Sequence, residues 1–363
     1  MMGLTGRHCL VLFLFGFIGF CSATDSSIND ELSASVVTLT VPFKEGGGTD
    51  TWARFIASYL SRYLPGNPQV QVKNHPGGGS TKAVNRYAAT APKDGKALLG
   101  ISGTTQIAYI LGDSRVRYDY SDWHVLMVYP TGGVVYVDSA LGVRNARDIS
   151  KLAGKNLVFG SQGPTSLDLV PMLMFELLNL KVRPIFGMRG RGAGRLAFER
   201  GQANIDFQTT AAYIANVLPL VESGKAVPLF SLGILNNEGE LIRDPQFPTL
   251  PHVGEVLEWT QGTRAKGIEW ESWFALYTAG FGAQKLLVLP KQTPKKTVEI
   301  YQQAINQLLA DKQYIAESVA VLGRYQQVTG ASAQKLYLMA THIPEQQIQW
   351  IRNWLRNTYE IKI

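Results

Sequence analysis

The stretch Val36-Val37-Thr38-Leu39-Thr40-Val41-Pro42-Phe43-Lys44-Glu45-Gly46-Gly47-Gly48-Thr49-Asp50 decides how this chain is read, together with its continuation as far as Leu99. Val37, Leu39, Val41 and Phe43 alternate with Thr38, Thr40 and Pro42, the period of a β-strand. Trp52, Phe55, Ile56, Tyr59, Leu60 and Tyr63 then recur at helical spacing, giving one apolar face to pack on that strand. A glycine turn separates the two, with Thr49 or Asp50 as the helix cap. Such a turn aims unpaired backbone N–H groups, and the positive end of a helix dipole, at whatever lies in front of it. The pattern predicts an anion site.

Further motifs come in order along the chain: Asn74-His75-Pro76-Gly77-Gly78-Gly79, then Asp94-Gly95 leading into Ala97-Leu98-Leu99. Later come Gly160-Ser161-Gln162-Gly163-Pro164-Thr165-Ser166, Asp244-Pro245-Gln246-Phe247-Pro248-Thr249-Leu250-Pro251 and Leu289-Pro290-Lys291-Gln292-Thr293-Pro294. In this order the set resembles the Bug family, the extracytoplasmic receptors of tripartite tricarboxylate transporters. Its marks are a Val-Pro-Phe strand, a Gly-Gly-x-Thr-Asp turn, an Asn-x-Pro-Gly-x-Gly loop and an Asp-Gly-x-x-Leu-Leu strand start. The resemblance covers nearly the whole chain beyond its first residues.

Composition sets the outer limits. The 363 residues are 45% hydrophobic and 17% charged, with 36 glycines, enough for a large core and about two domains. Residues 1–23 read as a signal peptide: Arg7 and His8, an apolar run over 10–20, then Cys21-Ser22-Ala23 as a small-residue cleavage site after Ala23. That run is shorter than the ~20 residues a spanning helix needs. Export to the periplasm is therefore expected, with a lipid-modified Cys21 as the lesser alternative. Both cysteines, Cys9 and Cys21, lie in this segment, so cleavage leaves no disulfide, zinc–thiolate site or cysteine nucleophile. It also removes Arg7 and leaves 34 basic against 28 acidic residues, a net charge of +6. That modest excess suits an anionic ligand, and no basic run interleaved with aromatics argues for nucleic acid.

Strand-like and helix-like segments alternate along most of the chain, which argues an α/β fold. Strands are expected at 70–73, 97–102, 134–137, 157–160, 182–185, 205–207 and 228–232. Helices are expected near 167–179, 192–200 and 211–222, and from Thr293 onward the chain reads as nearly all helix. The resemblance implies a periplasmic-binding-protein type II-like architecture: two α/β lobes, a two-crossover hinge and a helical C-terminal segment. Residues 36–132 with 270–363 would form one lobe and 133–269 the other, with crossings near 129–133 and 263–272.

The ligand-binding candidates derive from these turns. Phe43, Gly47, Gly48, Thr49 and Asp50 come from the first, where glycines permit close approach; Asp50, itself negative, is better suited to capping the helix. Ser161, Gly163, Thr165 and Ser166 form the second, which the resemblance implies faces the first across the cleft. Asp168 and Pro171 depart from the family pattern there: either Asp168 caps a helix that starts late, or the helix is kinked at the proline. Arg189 or Arg191 would pair a distal carboxylate in a bidentate fork. Ser102, Gly103, Thr104 and Thr209 sit at C-terminal ends of strands, where α/β folds hold ligands.

No catalytic constellation is legible. Gly160-Ser161-Gln162-Gly163 is not a nucleophile elbow, because its serine follows a glycine directly. Residues 77–82 lack Walker spacing, and His75, His124, His252 and His342 show no metal-ligand spacing. The expectation is a receptor, not an enzyme, with no cofactor and no metal. It would take a small mono-, di- or tricarboxylate to inner-membrane transporter subunits. The alternatives are a ligand-sensing receptor for a membrane signalling protein and an exported enzyme acting on a small anion.

Overall fold

A computed structural model describes residues 36–236 and 239–363. The expected signal segment and both cysteines lie outside the described residues. The alternating stretch forms β1 (Val36–Val41), and the helical stripe forms α1 (Gly48–Tyr63). Val37, Leu39 and Val41 are buried against Trp52, Ile56, Tyr59 and Leu60, with Phe55 and Tyr63 half-buried beside them. Each large side chain so buried contributes about 1.5–3 kcal/mol, which is what holds α1 against its strand.

The chain continues through β2 (Gln69–Asn74), α2 (Thr81–Thr90), β3 (Ala97–Ser102), α3 (Gly103–Ile110) and β4 (Trp123–Tyr129). It then passes through 130–132 into β5 (Gly133–Asp138) of a different sheet. There follow β6 (Leu157–Gly160), α4 (Leu169–Leu177), β7 (Val182–Ile185), α5 (Arg191–Glu199), β8 (Ile205–Thr209), α6 (Thr210–Asn216), α7 (Leu218–Glu222) and β9 (Ala226–Ser231). A short hairpin, β10 (Ile234–Leu235) and β11 (Leu241–Ile242), precedes α8 (Val253–Gln261) and α9 (Ile268–Tyr277). A π-helical turn, Thr278–Gly282, delivers the chain to β12 (Lys285–Pro290). Four helices close it: α10 (Lys295–Ala310), α11 (Lys312–Leu322), α12 (Gly330–Thr341) and α13 (Glu345–Tyr359).

Five strands form the first sheet in the order β2-β1-β3-β12-β4. β1 pairs in parallel with β2 and β3, whereas β12 inserts antiparallel between β3 and β4. The second layer has an antiparallel β8-β5-β9 sheet and a parallel β6-β7 pair. These are two α/β lobes. The expected strands all form; β4, β10, β11, β12, α2, α3, α8 and α9 stand beyond the sequence expectation. The expected helix over 211–222 is two, α6 and α7, with Pro219 in the first turn of α7.

The C-terminal helices do not behave alike. α10 and α12 pack on β4 of the first sheet, α11 packs on α1 and on α6 of the second layer, and α13 lies against α9. Ile348, Ile351 and Leu355 of α13 share one apolar cluster with Leu173 of α4, Trp273 of α9, Ile107 of α3 and Leu111 at its C-cap. Arg352 donates to the Leu111 carbonyl at 2.9 Å. The last helix thus ties α3, which follows a strand of the first sheet, to helices of the second layer.

Candidate functional site

The turn between β1 and α1 behaves as an open helix end. Gly47 occupies the N-cap and has no side chain to fill it. The first intrahelical bond runs from Thr51 N–H to the Gly47 carbonyl at 3.0 Å, so the N–H groups of Gly48, Thr49 and Asp50 precede it. Asp50 is turned away from the opening. Its Oδ2 accepts from Gly46 N–H at 2.9 Å, and its Oδ1 accepts from Arg54 Nε and Asn74 Nδ2, each at 2.9 Å. Asn74 Nδ2 also donates to the Phe43 carbonyl at 3.0 Å. The two polar residues of the motifs therefore brace the glycine turn from behind, holding its amides in place.

A second open helix end lies at α5. Its N-cap is Gly190, at φ +127°, a conformation that favours glycine. The first bond there joins Ala193 N–H to the Gly190 carbonyl at 3.1 Å, which leaves the N–H groups of Arg191 and Gly192 free of it. The Arg191 side chain points inward, contacting Asp206, Asp168 Oδ2 at 3.2 Å, and the carbonyls of Gly160 at 2.7 Å and Phe207 at 2.9 Å. Its guanidinium also lies 4.7 Å from the Phe207 ring centroid. With its donors so used, Arg191 cannot be the fork for a ligand carboxylate. Arg189 is exposed and forms no ion pair among the described residues.

These two helix ends share a cavity of about 300 Å³. One wall is Phe43 and residues 46–49; Ser102 and Thr104, from the junction of β3 and α3, and Gln284 and Lys285, at the start of β12, also line it. The opposite wall carries Gln162, Leu167, Arg189, Gly190, Gly192 and Thr209. The walls touch at the rim: a Cβ on Gly48 would sit 2.7 Å from Thr209 Oγ1. One edge is apolar, because Leu167 Cδ1 nests against the bare backbones of Gly103 and Gly280, 2.8 Å from where either Cβ would stand. A larger groove of about 740 Å³ lies between α12 and β4, but all its lining residues surround the first sheet and it does not span the two lobes.

Eight of the expected residues thus come together: Phe43, Gly47, Gly48, Thr49, Ser102, Thr104, Arg189 and Thr209. Asp50, Gly103, Ser161, Gly163, Thr165 and Ser166 do not line the cavity. Gly103 N–H donates to the Gln284 carbonyl at 3.0 Å. The turn over 161–166 closes on itself: Gly163 N–H donates to Ser161 Oγ at 3.2 Å, and Ser166 Oγ donates to the Gly163 carbonyl at 2.7 Å. Thr165 Oγ1 donates to Asp113 Oδ2 at 2.5 Å, and Ser161 N–H is taken by the Ile185 carbonyl at 2.9 Å. The ambiguity at Asp168 and Pro171 resolves as a late start. α4 begins at Leu169, Pro171 falls in its first turn, and the Asp168 carboxylate accepts from Gln162 N–H at 2.5 Å instead of capping the helix.

Among the lining residues that had no role in the sequence reading are Gln162, Gln284 and Lys285. Lys285 is 3% exposed, and its Nζ donates to Gln284 Oε1. Among the described residues it has no carboxylate partner, and burial pulls its pKa down to about 7. The apolar run Leu286-Leu287-Val288-Leu289 is the signal that marks a strand here. Its antiparallel insertion, which sets Lys285 opposite Ser102, is not written locally. Among the described residues there is no cluster of His, Cys, Asp and Glu able to hold a metal ion.

No family model matches the chain. It is 26% identical over 310 residues to a UPF0065 protein from the tcbD-tcbE intergenic region of Pseudomonas sp. (strain P51), covering 83% of this chain and 82% of that protein. Among solved structures, the periplasmic binding protein BugD aligns with a TM-score of 0.65 at 21% identity, covering 89% of this chain and 97% of BugD. MatC from Rhodopseudomonas palustris, solved with bound malate, aligns at 0.63 and 19% identity over 88% of this chain and 98% of MatC. An R. palustris protein solved with adipate aligns at 0.65 and 20% identity over 89% of this chain and 97% of that one. In fold the chain is similar to these binding proteins, with two α/β lobes.

Proposed function

We propose that the protein is an exported solute-binding receptor that captures a small organic carboxylate between its lobes, without changing it chemically, and delivers it to membrane transporter subunits. The observation that carries this reading is the pair of uncapped helix ends, α1 and α5, lining one interlobe cavity. Each end offers backbone N–H groups and a positive dipole terminus to an anion. A hydrogen bond to a charged partner contributes roughly 1.5–3 kcal/mol. Three or four of them are commensurate with micromolar affinity, about −8 kcal/mol, after ordering costs.

In this reading Phe43, Gly47, Gly48, Thr49, Ser102, Thr104, Arg189 and Thr209 contact the ligand. Asp50, Gly103, Ser161, Gly163, Thr165 and Ser166 shape the turns behind them. The lobes are 36–132 with 270–363, and 133–269, with α9 and α13 packed across their junction. The bound malate of MatC and the adipate of the second R. palustris protein make dicarboxylates the first ligands to try. Thermal melts of the purified protein against a panel of mono-, di- and tricarboxylates test the reading. An acid at ~100 times its Kd should stabilise the fold by about 2.7 kcal/mol. A panel in which no acid raises the melting temperature would refute it.

A further inference from the structure

We infer that Lys285 is the charge that selects the ligand: it lines the cavity with no carboxylate partner among the described residues and receives a carboxylate of the incoming acid. The inference rests on the carboxylate-receptor reading and deepens it. Lys285 begins β12, pairs directly with Ser102 of β3, and lines the same cavity as Ser102 and Thr104. Residues directly opposite on antiparallel strands present their side chains to the same face. The ammonium and the Ser102 hydroxyl therefore form one patch. Thr104 Oγ1 accepts from Leu167 N–H at 3.2 Å, so its own proton remains to be donated.

An ammonium has three donors, and a single neutral acceptor, Gln284 Oε1, meets this one. A buried charge is ordinarily paired. The other buried cation near the cavity, Arg191, follows that rule through Asp168 and Asp206. Lys285 departs from it where the cavity gives a partner a route from solution. The charged and titratable groups facing this region are Lys44 and Glu45 before α1, Arg189, Arg191 and Arg195 around α5, and Tyr129, which pairs with Lys285 from β4. Burial alone lowers its pKa to about 7, and a bound carboxylate would raise it again. Above pH 7, capture should therefore take up a proton from solvent.

The test is titration calorimetry of the full chain with malate and with adipate at pH 8, in two buffers of different ionisation enthalpy. Wild type should bind with uptake approaching one proton. K285M should bind the same acid at least 30-fold more weakly with no uptake from this site, while its ligand-free melting temperature is unchanged or higher. K285R should bind without uptake, since a guanidinium stays charged. K285M that binds as tightly as wild type, or wild type that binds without proton uptake, would overturn the inference and leave the receptor reading standing. Wild type that binds neither acid, nor any other of the carboxylate panel, would overturn both. Should K285M fail to fold, wild type and K285R decide by proton uptake alone.

Discussion

Gly48→Ala is the sharpest test of whether the two walls must meet. Gly48 is in α1 and has no positive φ, so alanine suits its backbone and improves helix propensity by up to about 1 kcal/mol. The added Cβ, however, would stand 2.7 Å from Thr209 Oγ1 on the opposite wall and 4.0 Å from Ala212 Cβ of α6. Thr209 is buried and β-branched, so its hydroxyl has little freedom to move aside. Overpacking of this kind costs about 1–3 kcal/mol, and here the cost falls where the two walls meet. Affinity for the acid that stabilises the wild type should drop roughly 5- to 150-fold, while the ligand-free melting temperature holds or rises. Thr209→Ala on the same background removes the clashing oxygen and should restore most of the loss, a coupling read by a double-mutant cycle. Calorimetric titration of the four proteins decides it. Wild-type affinity in Gly48→Ala, or no recovery in the double variant, would refute the reasoning.

Two further predictions concern the buried charges. Burial raises the Asp244 carboxyl from 3.8 to about 6, even though Tyr325 OH donates to it at 2.5 Å and Gln246 N–H at 2.8 Å. Because the folded value lies above the unfolded one, this group's contribution to stability is full below about pH 4 and is lost as the pH rises through 6. Urea melts should show wild type losing roughly 2 kcal/mol relative to Asp244→Asn between pH 4 and 7; a constant difference would contradict this. Arg191→Met leaves Asp168 and Asp206, both fully buried, without their cation. It should cost about 3–5 kcal/mol in the same assay, and a loss under 1 kcal/mol would mean the network is not holding α5 in place.

The first wall of the site was legible because its signals are local. Alternation over 36–43 and helical spacing over 52–63 fix a strand and a helix, and the glycines between them leave the helix end open. The second wall was harder to read. Ser161 to Ser166 and Met188 to Ala193 both look like glycine turns after strands, and the difference between them is long-range. Asp113 with Arg115 engages Thr165, and the Ile185 carbonyl takes the Ser161 amide, whereas nothing comparable covers Gly190 and Gly192. Arg191 reads as a fork for a ligand carboxylate until Asp168 and Asp206, 23 and 15 residues away, converge on it. Lys285 was invisible for the same reason, since an isolated lysine before an apolar run carries no mark of the strand that will bury it. α13 likewise shows a clear apolar stripe, but a stripe does not say which lobe it covers.

The central claim is that the open ends of α1 and α5 hold an organic acid between them. A crystal structure of the protein with the acid that most raises its melting temperature tests this most directly. The account predicts carboxylate oxygens about 2.7–3.2 Å from the N–H groups of Gly48 or Thr49 on one side and of Arg191 or Gly192 on the other. An acid seated instead in the groove between α12 and β4, with the interlobe cavity empty, would contradict it.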